Sequence, residues 1–194
     1  MTTPLCIIAE KYLCDKTPKY HHHYTPEYYE ILKNKKYEKV LEIGIGYPEL
    51  MCKFTNENYK QGASLYMWKE FFETSHIFGC DIREIKLEGM NTFVCDQSNP
   101  DSLEKMMSKI GYVDFIIDDG SHIPEHQKIS FKTLWKYCRD IYIIEDIHKS
   151  NLDDMQKELE DTFINCKCIK NYCHPSEHQG FLVFQKKSIL EING

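Results

Sequence analysis

The stretch that decides the fold of this chain is Tyr112-Val-Asp-Phe-Ile-Ile-Asp118-Asp119-Gly-Ser-His122, a short apolar run that ends in two acids. A second run, Tyr142-Ile-Ile-Glu145-Asp146, ends in the same way. An ionised carboxylate buried without a partner is costly, so each acid pair marks the end of a buried strand. In open α/β sheets, ligands bind just outside the carboxyl ends of the strands. We therefore expect both acid pairs at a ligand-binding edge of a sheet.

Other short apolar runs alternate with helical patterns along most of the chain. Residues 40–43, His76–Asp81 and Thr92–Asp96 are predicted strands. Strand and helix alternate five times, which is typical of a parallel sheet with helices on both faces. The last two runs, 164–172 and 180–186, have no helix between them and should pair as a hairpin. The predicted fold is α/β, with a mostly parallel seven-stranded sheet and an antiparallel C-terminal hairpin.

Cap and proline signals predict where the helices begin. Thr25-Pro26-Glu27 predicts a helix that runs to about Lys33. Ser98 and Asp101 have the spacing of a capping box at the start of another helix. Further helices are predicted to begin near Gly62, Pro124 and Ser150, and residues 47–61 are interpreted as a loop.

The composition indicates a globular protein of one domain. Hydrophobic residues make up 42% and charged residues 28% of the 194 residues, enough for a single α/β core. We expect an N-terminal segment with its helix (residues 1–36), followed by the main domain (37–194). The net charge of -6 argues against a nucleic-acid partner. No apolar run approaches the ~18 residues of a membrane span, so no membrane partner is expected.

The cysteines favour a reducing, cytoplasmic location. Nine are scattered along the chain without a CxxC pair, and no leader peptide is recognisable. Cys166 and Cys168 alternate on a predicted strand near Cys173, where packing is favoured over a zinc site. His21-His22-His23 is interpreted as a polar lead-in to the first predicted helix. The sequence leaves homo-oligomer formation open.

Three successive strand ends carry the residues of a nucleoside-shaped slot. Gly44 and Gly46 follow the first strand, where small residues let a ligand lie against the backbone. Asp81 ends the second strand, where an acid can bind the two hydroxyls of a ribose. Asp96 ends the third, placed to accept from an adenine amino group. Residue 49 is Glu, so the third glycine of a dinucleotide fingerprint is missing, which weakens the alternative of a nicotinamide-dependent oxidoreductase.

These motifs resemble those of class I S-adenosylmethionine-dependent methyltransferases. A narrower resemblance, to the macrocin and mycinamicin type of sugar O-methyltransferase, spans about residues 20–150. It is carried by Tyr24-Thr-Pro-Glu-Tyr, Gly62-Ala-Ser-Leu-Tyr-Met-Trp68, Asp96-Gln97-Ser98, Ile117-Asp-Asp-Gly-Ser-His122 and Ile144-Glu145-Asp146. The resemblance implies a Rossmann-like methyltransferase fold and an enzyme that uses S-adenosylmethionine.

The resemblance also implies a role for the residues of each motif. Residues Glu42, Gly44 and Gly46 would line the methionine part of the cofactor. Asp81 would hold its ribose, and Asp96 with Gln97 would face its adenine.

The acids of the two deciding runs would hold Mg²⁺ by the same resemblance. Asp118 or Asp119 would join Glu145 and Asp146; we expect Asp119 at the metal and Asp118 at the cofactor. His122 would be the catalytic base. The chemistry agrees, because carboxylate oxygens suit Mg²⁺, which lowers the pKa of a bound hydroxyl so that a histidine can take its proton.

The acceptor is expected to be a small molecule or a glycan with a sugar hydroxyl, but two alternatives stay open. The same metal chemistry serves a catechol-like vicinal diol, and a non-catalytic binding subunit could keep the fold. The chain also departs from the family: Tyr137-Cys-Arg-Asp140 stands where the family usually has a Pro-Gly-Gly turn before the fifth strand. His148, which follows the second acid pair, is interpreted as a solvated residue that could approach the site.

Overall fold

The computed structural model describes residues 1–74, 76–163, 166–172 and 180–187. The strands are β1 Lys39–Ile43, β2 His76–Asp81, β3 Asn91–Val94, β4 Val113–Asp118, β5 Cys138–Ile147, β6 Cys166–Tyr172 and β7 Gly180–Lys186. The helices are α1 Pro4–Lys11, α2 Tyr24–Leu32, α3 Pro48–Met51, α4 Ala63–Phe72, α5 Pro100–Ile110, α6 Pro124–Leu134 and α7 Lys149–Thr162.

All seven strands form one sheet, in the order β3-β2-β1-β4-β5-β7-β6. Strands β1 to β5 pair in parallel, and β7 pairs antiparallel with both β5 and β6. The predicted mostly parallel sheet with an antiparallel hairpin is confirmed. Because β1 lies between β2 and β4, the strand order reverses there, and the crevice outside these strand ends is where such sheets bind ligands.

The sheet is packed on both faces, because successive strand residues point to opposite sides. Val40 belongs to the core under α1, α2 and α4, and Leu41 to the core under α5, α6 and α7. Trp68 in the first core and Phe131 in the second are fully buried. Burying one such side chain contributes roughly 1.5–3 kcal/mol. The prediction of helices on both faces is therefore confirmed.

Two helices precede the sheet, whereas the sequence predicted only one. Helix α1 begins after Thr3, whose hydroxyl accepts a hydrogen bond from the Cys6 amide, and Pro4 takes the first helical position. Leu5 and Ala9 are fully buried in the same core as Trp68. The helix was overlooked because its apolar run is short and is followed by Glu10 and Lys11. A domain boundary near residue 36 stays a prediction.

Some element ends differ from the predicted ones. The predicted capping box was wrong: Asn99 caps α5 by accepting from the Asp101 amide at 3.0 Å, because Pro100 takes the first helical position. Helix α3 lies inside the predicted loop 47–61, and β5 extends beyond the run from Tyr142 to Asp146 at both ends. Among the described helices, none is long and apolar enough to cross a membrane.

The predicted packing role of the β6 cysteines can be followed only in part. Cys168 packs against the core around Phe131. The side chain of Cys166, and Cys173 as a whole, lie outside the described part of the chain.

Candidate active site

A cavity of about 820 Å³ opens at the carboxyl ends of the central strands. Its walls come from the turns after β1, β2, β4 and β5, together with residues that precede α2. Of the predicted site residues, the cavity is lined by Gly44, Gly46, Asp81, Asp119, His122 and Asp146. The other predicted site residues, which do not line it, are Glu42, Asp96, Gln97, Asp118 and Glu145.

Gly44 brings the first turn into direct contact with the acids after β4. Its φ is +93°, and a Cβ built there would lie 2.0 Å from the backbone carbonyl oxygen of Asp119. The Asp119 amide in turn donates to the Ile43 carbonyl at 2.9 Å. Only glycine allows this approach, so it is needed for the geometry of both turns.

Asp81 holds the turn after β1 and faces the cavity. Its Oδ2 accepts from the Ile45 amide, and its Oδ1 from the Arg83 amide, both at 3.0 Å. The Arg83 guanidinium stacks over the Tyr47 ring, 4.2 Å from the centroid. The Asp81 carboxylate and the Tyr47 ring therefore both line the cavity beside the turn after β1.

Asp118 and Gln97 form a buried pair behind the cavity. Gln97 Nε2 donates to Asp118 Oδ1 at 2.5 Å, and the Ser130 hydroxyl donates to Asp118 Oδ2. Burial raises the pKa of Asp118 to about 7, although these hydrogen bonds lower it. Gln97 Oε1 also accepts from the Ser121 amide at 2.9 Å. The pair therefore supports the turn between β4 and α6.

Asp96 follows β3 and is not among the residues that line the cavity. Its Oδ1 accepts from the Ser98 amide and hydroxyl, and these bonds lower its pKa. In this arrangement the side chain closes the turn before α5.

Four acids form what we call the carboxylate cluster: Glu42, Asp119, Glu145 and Asp146. Buried Lys16 reaches into it, with Nζ 2.5 Å from both Asp119 Oδ2 and Glu145 Oε2 and 3.6 Å from Glu42 Oε1. The Tyr28 hydroxyl donates to Glu145 Oε1 at 2.9 Å, and the Tyr24 hydroxyl donates to Asp146 Oδ1. The N-terminal elements thus hold the predicted metal ligands.

Burial and the Lys16 charge act in opposite directions on the cluster. Burial raises the pKa of Glu145 well above its ordinary value and that of Glu42 to about 7, against the lowering effect of Lys16. Burial would also raise the pKa of Asp119, but the charges of Lys16 and His122 hold it below its ordinary value. Asp119 is therefore the most acidic of the three.

Glu42 is the member of the cluster with unused acceptor capacity. Neither of its oxygens has a well-formed hydrogen bond within the described residues, although the Ser64 hydroxyl helps to lower its pKa. A buried acceptor without a donor is rare in proteins. The observation suits a donor supplied by a ligand, such as the ammonium group of an amino acid.

His122 lies over the cluster on its solvent side. Its Nε2 is 3.1 Å from Asp119 Oδ1 and 3.6 Å from Asp146 Oδ2, and 43% of its side chain is exposed. Partial burial lowers its pKa, but the opposite effect of Asp119 and Asp146 is larger, and the pKa is raised to about 9. One ligand atom each from Asp119, His122 and Asp146 lie within 4.8 Å of one another. These three residues could share a cation.

Two cavity residues have a left-handed backbone: φ is +56° at His122 and +52° at Asp146. Such conformations are uncommon outside glycine and cluster at functional sites. His122 follows β4 and Asp146 lies near the end of β5. These conformations bring the two side chains together, with Nε2 of His122 3.6 Å from Oδ2 of Asp146.

Sequence reasoning missed the residues that precede α2. Lys16 contacts residues more than a hundred positions away, and no local motif predicts such a contact. His21 and His22 line the cavity, where they were expected to be a polar lead-in. His22 Nδ1 lies 3.7 Å from Asp146 Oδ1, and burial lowers its pKa to about 4. His148 lines the cavity too and caps α7 through Ser150.

Curated proteins of related sequence are sugar O-methyltransferases, while no family model matches the chain. Demethylmacrocin O-methyltransferase of Streptomyces fradiae is 37% identical over 152 residues, which are 72% of this chain and 35% of that protein. Mycinamicin VI 2''-O-methyltransferase of Micromonospora griseorubida is 34% identical over 144 residues, 68% of this chain and 33% of that protein. The chain spans about a third of the length of these relatives.

Solved structures of methyltransferases share the fold. The MycE methyltransferase from the mycinamycin biosynthetic pathway, in complex with Mg, SAH and mycinamycin VI, has a TM-score of 0.70 and 25% identity, over 95% of this chain and 55% of that chain. An O-methyltransferase from Bacillus cereus in complex with SAH has a TM-score of 0.55 at 13% identity, over 94% of this chain and 90% of that one, and shows the fold alone. The chain has the Rossmann-like fold of class I S-adenosylmethionine-dependent methyltransferases, and its sequence is similar to the sugar O-methyltransferases of the macrocin and mycinamicin type.

Proposed function

We propose that this chain is a metal-dependent O-methyltransferase that transfers a methyl group from S-adenosylmethionine to a sugar hydroxyl. The observation that carries the proposal is the convergence of Asp119, His122 and Asp146 in the lining of the cavity. The sequence similarity to two sugar O-methyltransferases supports the same reaction.

The cofactor fits the end of the cavity formed by the turns after β1 and β2. Glu42 has unused acceptors that the ammonium group of the methionine part would satisfy, and Gly44 and Gly46 line the cavity in which that part would lie. Asp81 lines the cavity where a ribose would lie. Asp96, Gln97 and Asp118 are proposed to contribute from behind, by supporting the turns that face the adenine and the metal.

The carboxylate cluster suits a hard divalent cation such as Mg²⁺, because its donors are oxygens. Asp119, Glu145 and Asp146 are the proposed ligands. A Mg²⁺ bound there would supply positive charge that lowers the pKa of an acceptor hydroxyl and of the adjacent His122.

His122 is proposed as the base that takes the proton of the acceptor hydroxyl. The oxygen then forms a bond to the methyl carbon while the bond from that carbon to sulfur breaks, which leaves S-adenosylhomocysteine. His122 is exposed enough to meet an acceptor, and its contact with Asp119 orients the ring. In-line displacement depends mainly on such positioning.

The acceptor would enter between the residues that precede α2 and the loop after β1. The His21 ring packs against the Phe54 ring at a tilt of 35°, with centroids 4.5 Å apart, and Met51 and Tyr59 line the cavity as well. Aromatic rings of this kind present an apolar face that a sugar ring can cover. Cytoplasmic location and the absence of a nucleic-acid partner remain parts of this proposal.

The proposal is tested first by calorimetry with S-adenosylhomocysteine and then by methyl transfer from S-adenosylmethionine. Demethylmacrocin, mycinamicin VI and a catechol serve as acceptors, each with Mg²⁺ or with EDTA. We expect transfer to a sugar acceptor that stops with EDTA, and a large loss in Asp146→Asn but not in the exposed control Asp161→Asn. Transfer that EDTA leaves unchanged would contradict the metal role, and cofactor binding without transfer to any acceptor would favour a non-catalytic subunit.

A further inference from the structure

Lys16 is a cation built into the carboxylate cluster. Its side chain is only 1% exposed, and Nζ lies 2.5 Å from one oxygen each of Asp119 and Glu145. A charged side chain is almost never buried to this extent unless it is paired. Lys16 therefore balances part of the charge that Asp119, Glu145 and Glu42 place in the protein interior.

The contacts of Lys16 use the same oxygens that a divalent cation would need. Glu145 has both oxygens engaged, Oε2 by Lys16 and Oε1 by the Tyr28 hydroxyl. Asp119 has Oδ2 engaged by Lys16, which leaves Oδ1 to His122. A cation that binds both carboxylates must displace the ammonium group, because two positive charges a few ångströms apart repel each other strongly in a buried site.

The backbone places Lys16 in the cluster. The Lys16 carbonyl accepts from the amides of Tyr24 and Thr25 at 3.1 and 3.0 Å, and the His22 amide donates to the Asp15 carbonyl at 2.8 Å. These bonds tie the residues before α2 to the first turn of that helix. The ammonium group is thus delivered by a folded segment that also forms a wall of the cavity.

We propose that the Lys16 ammonium group and a divalent cation are alternative partners of Asp119 and Glu145. Lys16 is then a positioning residue: it holds the two carboxylates together and sets the metal affinity by competing for them. The inference rests on the proposed function for the identity of the cation site, and adds that the chain carries its own competitor.

The test is a calorimetric titration of the whole chain with Mn²⁺, a spectroscopically convenient substitute for Mg²⁺. The wild type is compared with Lys16→Met and with Lys16→Gln, whose amide can still donate to both carboxylates. Lys11→Met is the matched control, because Lys11 makes an ion pair of the same length with Glu70 but is 58% exposed. We expect both Lys16 variants to bind Mn²⁺ about tenfold more tightly or better, since a competing charge is removed. The control should equal the wild type.

Mn²⁺ should also raise the thermal unfolding temperature more in the Lys16 variants than in the wild type, because it replaces the missing charge. Unchanged or weaker Mn²⁺ affinity in both variants would overturn the inference. So would variants that fail to fold even with saturating Mn²⁺, since the cation would then be unable to replace Lys16. A parallel titration with S-adenosylhomocysteine separates the two proposals: its failure in the wild type contradicts the methyltransferase function, whatever the Mn²⁺ result.

Discussion

Replacing Gly44 by alanine should damage the site more than an equivalent change elsewhere on the molecule. The new Cβ would lie 2.0 Å from the Asp119 carbonyl oxygen and 3.0 Å from the Gly120 Cα, so backbone must move on one side or the other. Because Asp119 is the shared partner of Lys16 and His122, its displacement disturbs the whole cluster. Gly89 offers a matched control, since its φ is +69° and its Cβ would meet only the flexible Lys69 Nζ.

The magnitude follows from two separate costs. Placing alanine at a positive φ costs about 1–2 kcal/mol, and this cost applies to both variants. Forcing an extra carbon into a packed site adds about 1–3 kcal/mol, and this cost applies only at Gly44. We therefore expect Gly44→Ala to lose about 2–5 kcal/mol of unfolding free energy and Gly89→Ala about 1–2 kcal/mol.

Urea unfolding followed by circular dichroism measures the unfolding free energy of each variant. Calorimetry with S-adenosylhomocysteine measures the affinity of each variant for the ligand. Gly44→Ala should bind the ligand at least about tenfold more weakly, which corresponds to ~1.4 kcal/mol, while Gly89→Ala should bind like the wild type. Equal stability losses in the two variants, or undiminished ligand binding by Gly44→Ala, would refute the reasoning that this close approach shapes the site.

Three further predictions concern single side chains. Asp81→Ala should weaken S-adenosylhomocysteine binding by roughly 1.5–3 kcal/mol in calorimetry, as expected for a lost charge-assisted hydrogen bond, and unchanged affinity would count against the ribose role. His122→Ala should keep its affinity for that ligand but lose ~10²–10⁴ in turnover; a wild-type rate would make His148 the next candidate base. Asp118 has a native pKa raised to about 7, so the native state holds its proton more tightly than the unfolded state does. Its contribution to stability is therefore present at low pH and lost as pH rises through 7, and the stability advantage of the wild type over Asp118→Asn should shrink by a few kcal/mol between pH 5 and 8 in urea titrations; a constant difference would contradict the shift.

The sheet could be predicted from the sequence because its signals are local. A short apolar run bounded by an acid or a glycine identifies a buried strand wherever it lies in the chain. The hairpin followed from the missing helix between the last two runs. Helix α1 could not be found in this way, since its amphipathic face spans only Leu5 to Ala9 and depends on the core beneath it.

The site was predictable to the extent that it lies at strand ends. Asp119, His122 and Asp146 converge because parallel strands bring their carboxyl ends to one edge. What each of two neighbouring acids contacts could not be predicted, because it depends on the packing around them: Asp119 lines the cavity, whereas Asp118 is buried against Gln97 and Ser130. Lys16 was beyond sequence reasoning, since its role depends on contacts with Glu145 and Asp119 that only the fold creates.

The measurement that tests the central claim most directly is a crystal structure of the chain grown with S-adenosylhomocysteine and Mn²⁺, with diffraction data collected at the manganese absorption edge. The account predicts an anomalous peak within bonding distance of Asp119, Glu145 and Asp146, beside His122, with the ligand in the cavity and its ribose at Asp81. A peak elsewhere, or a ligand bound away from the turns after β1 and β2, would contradict it.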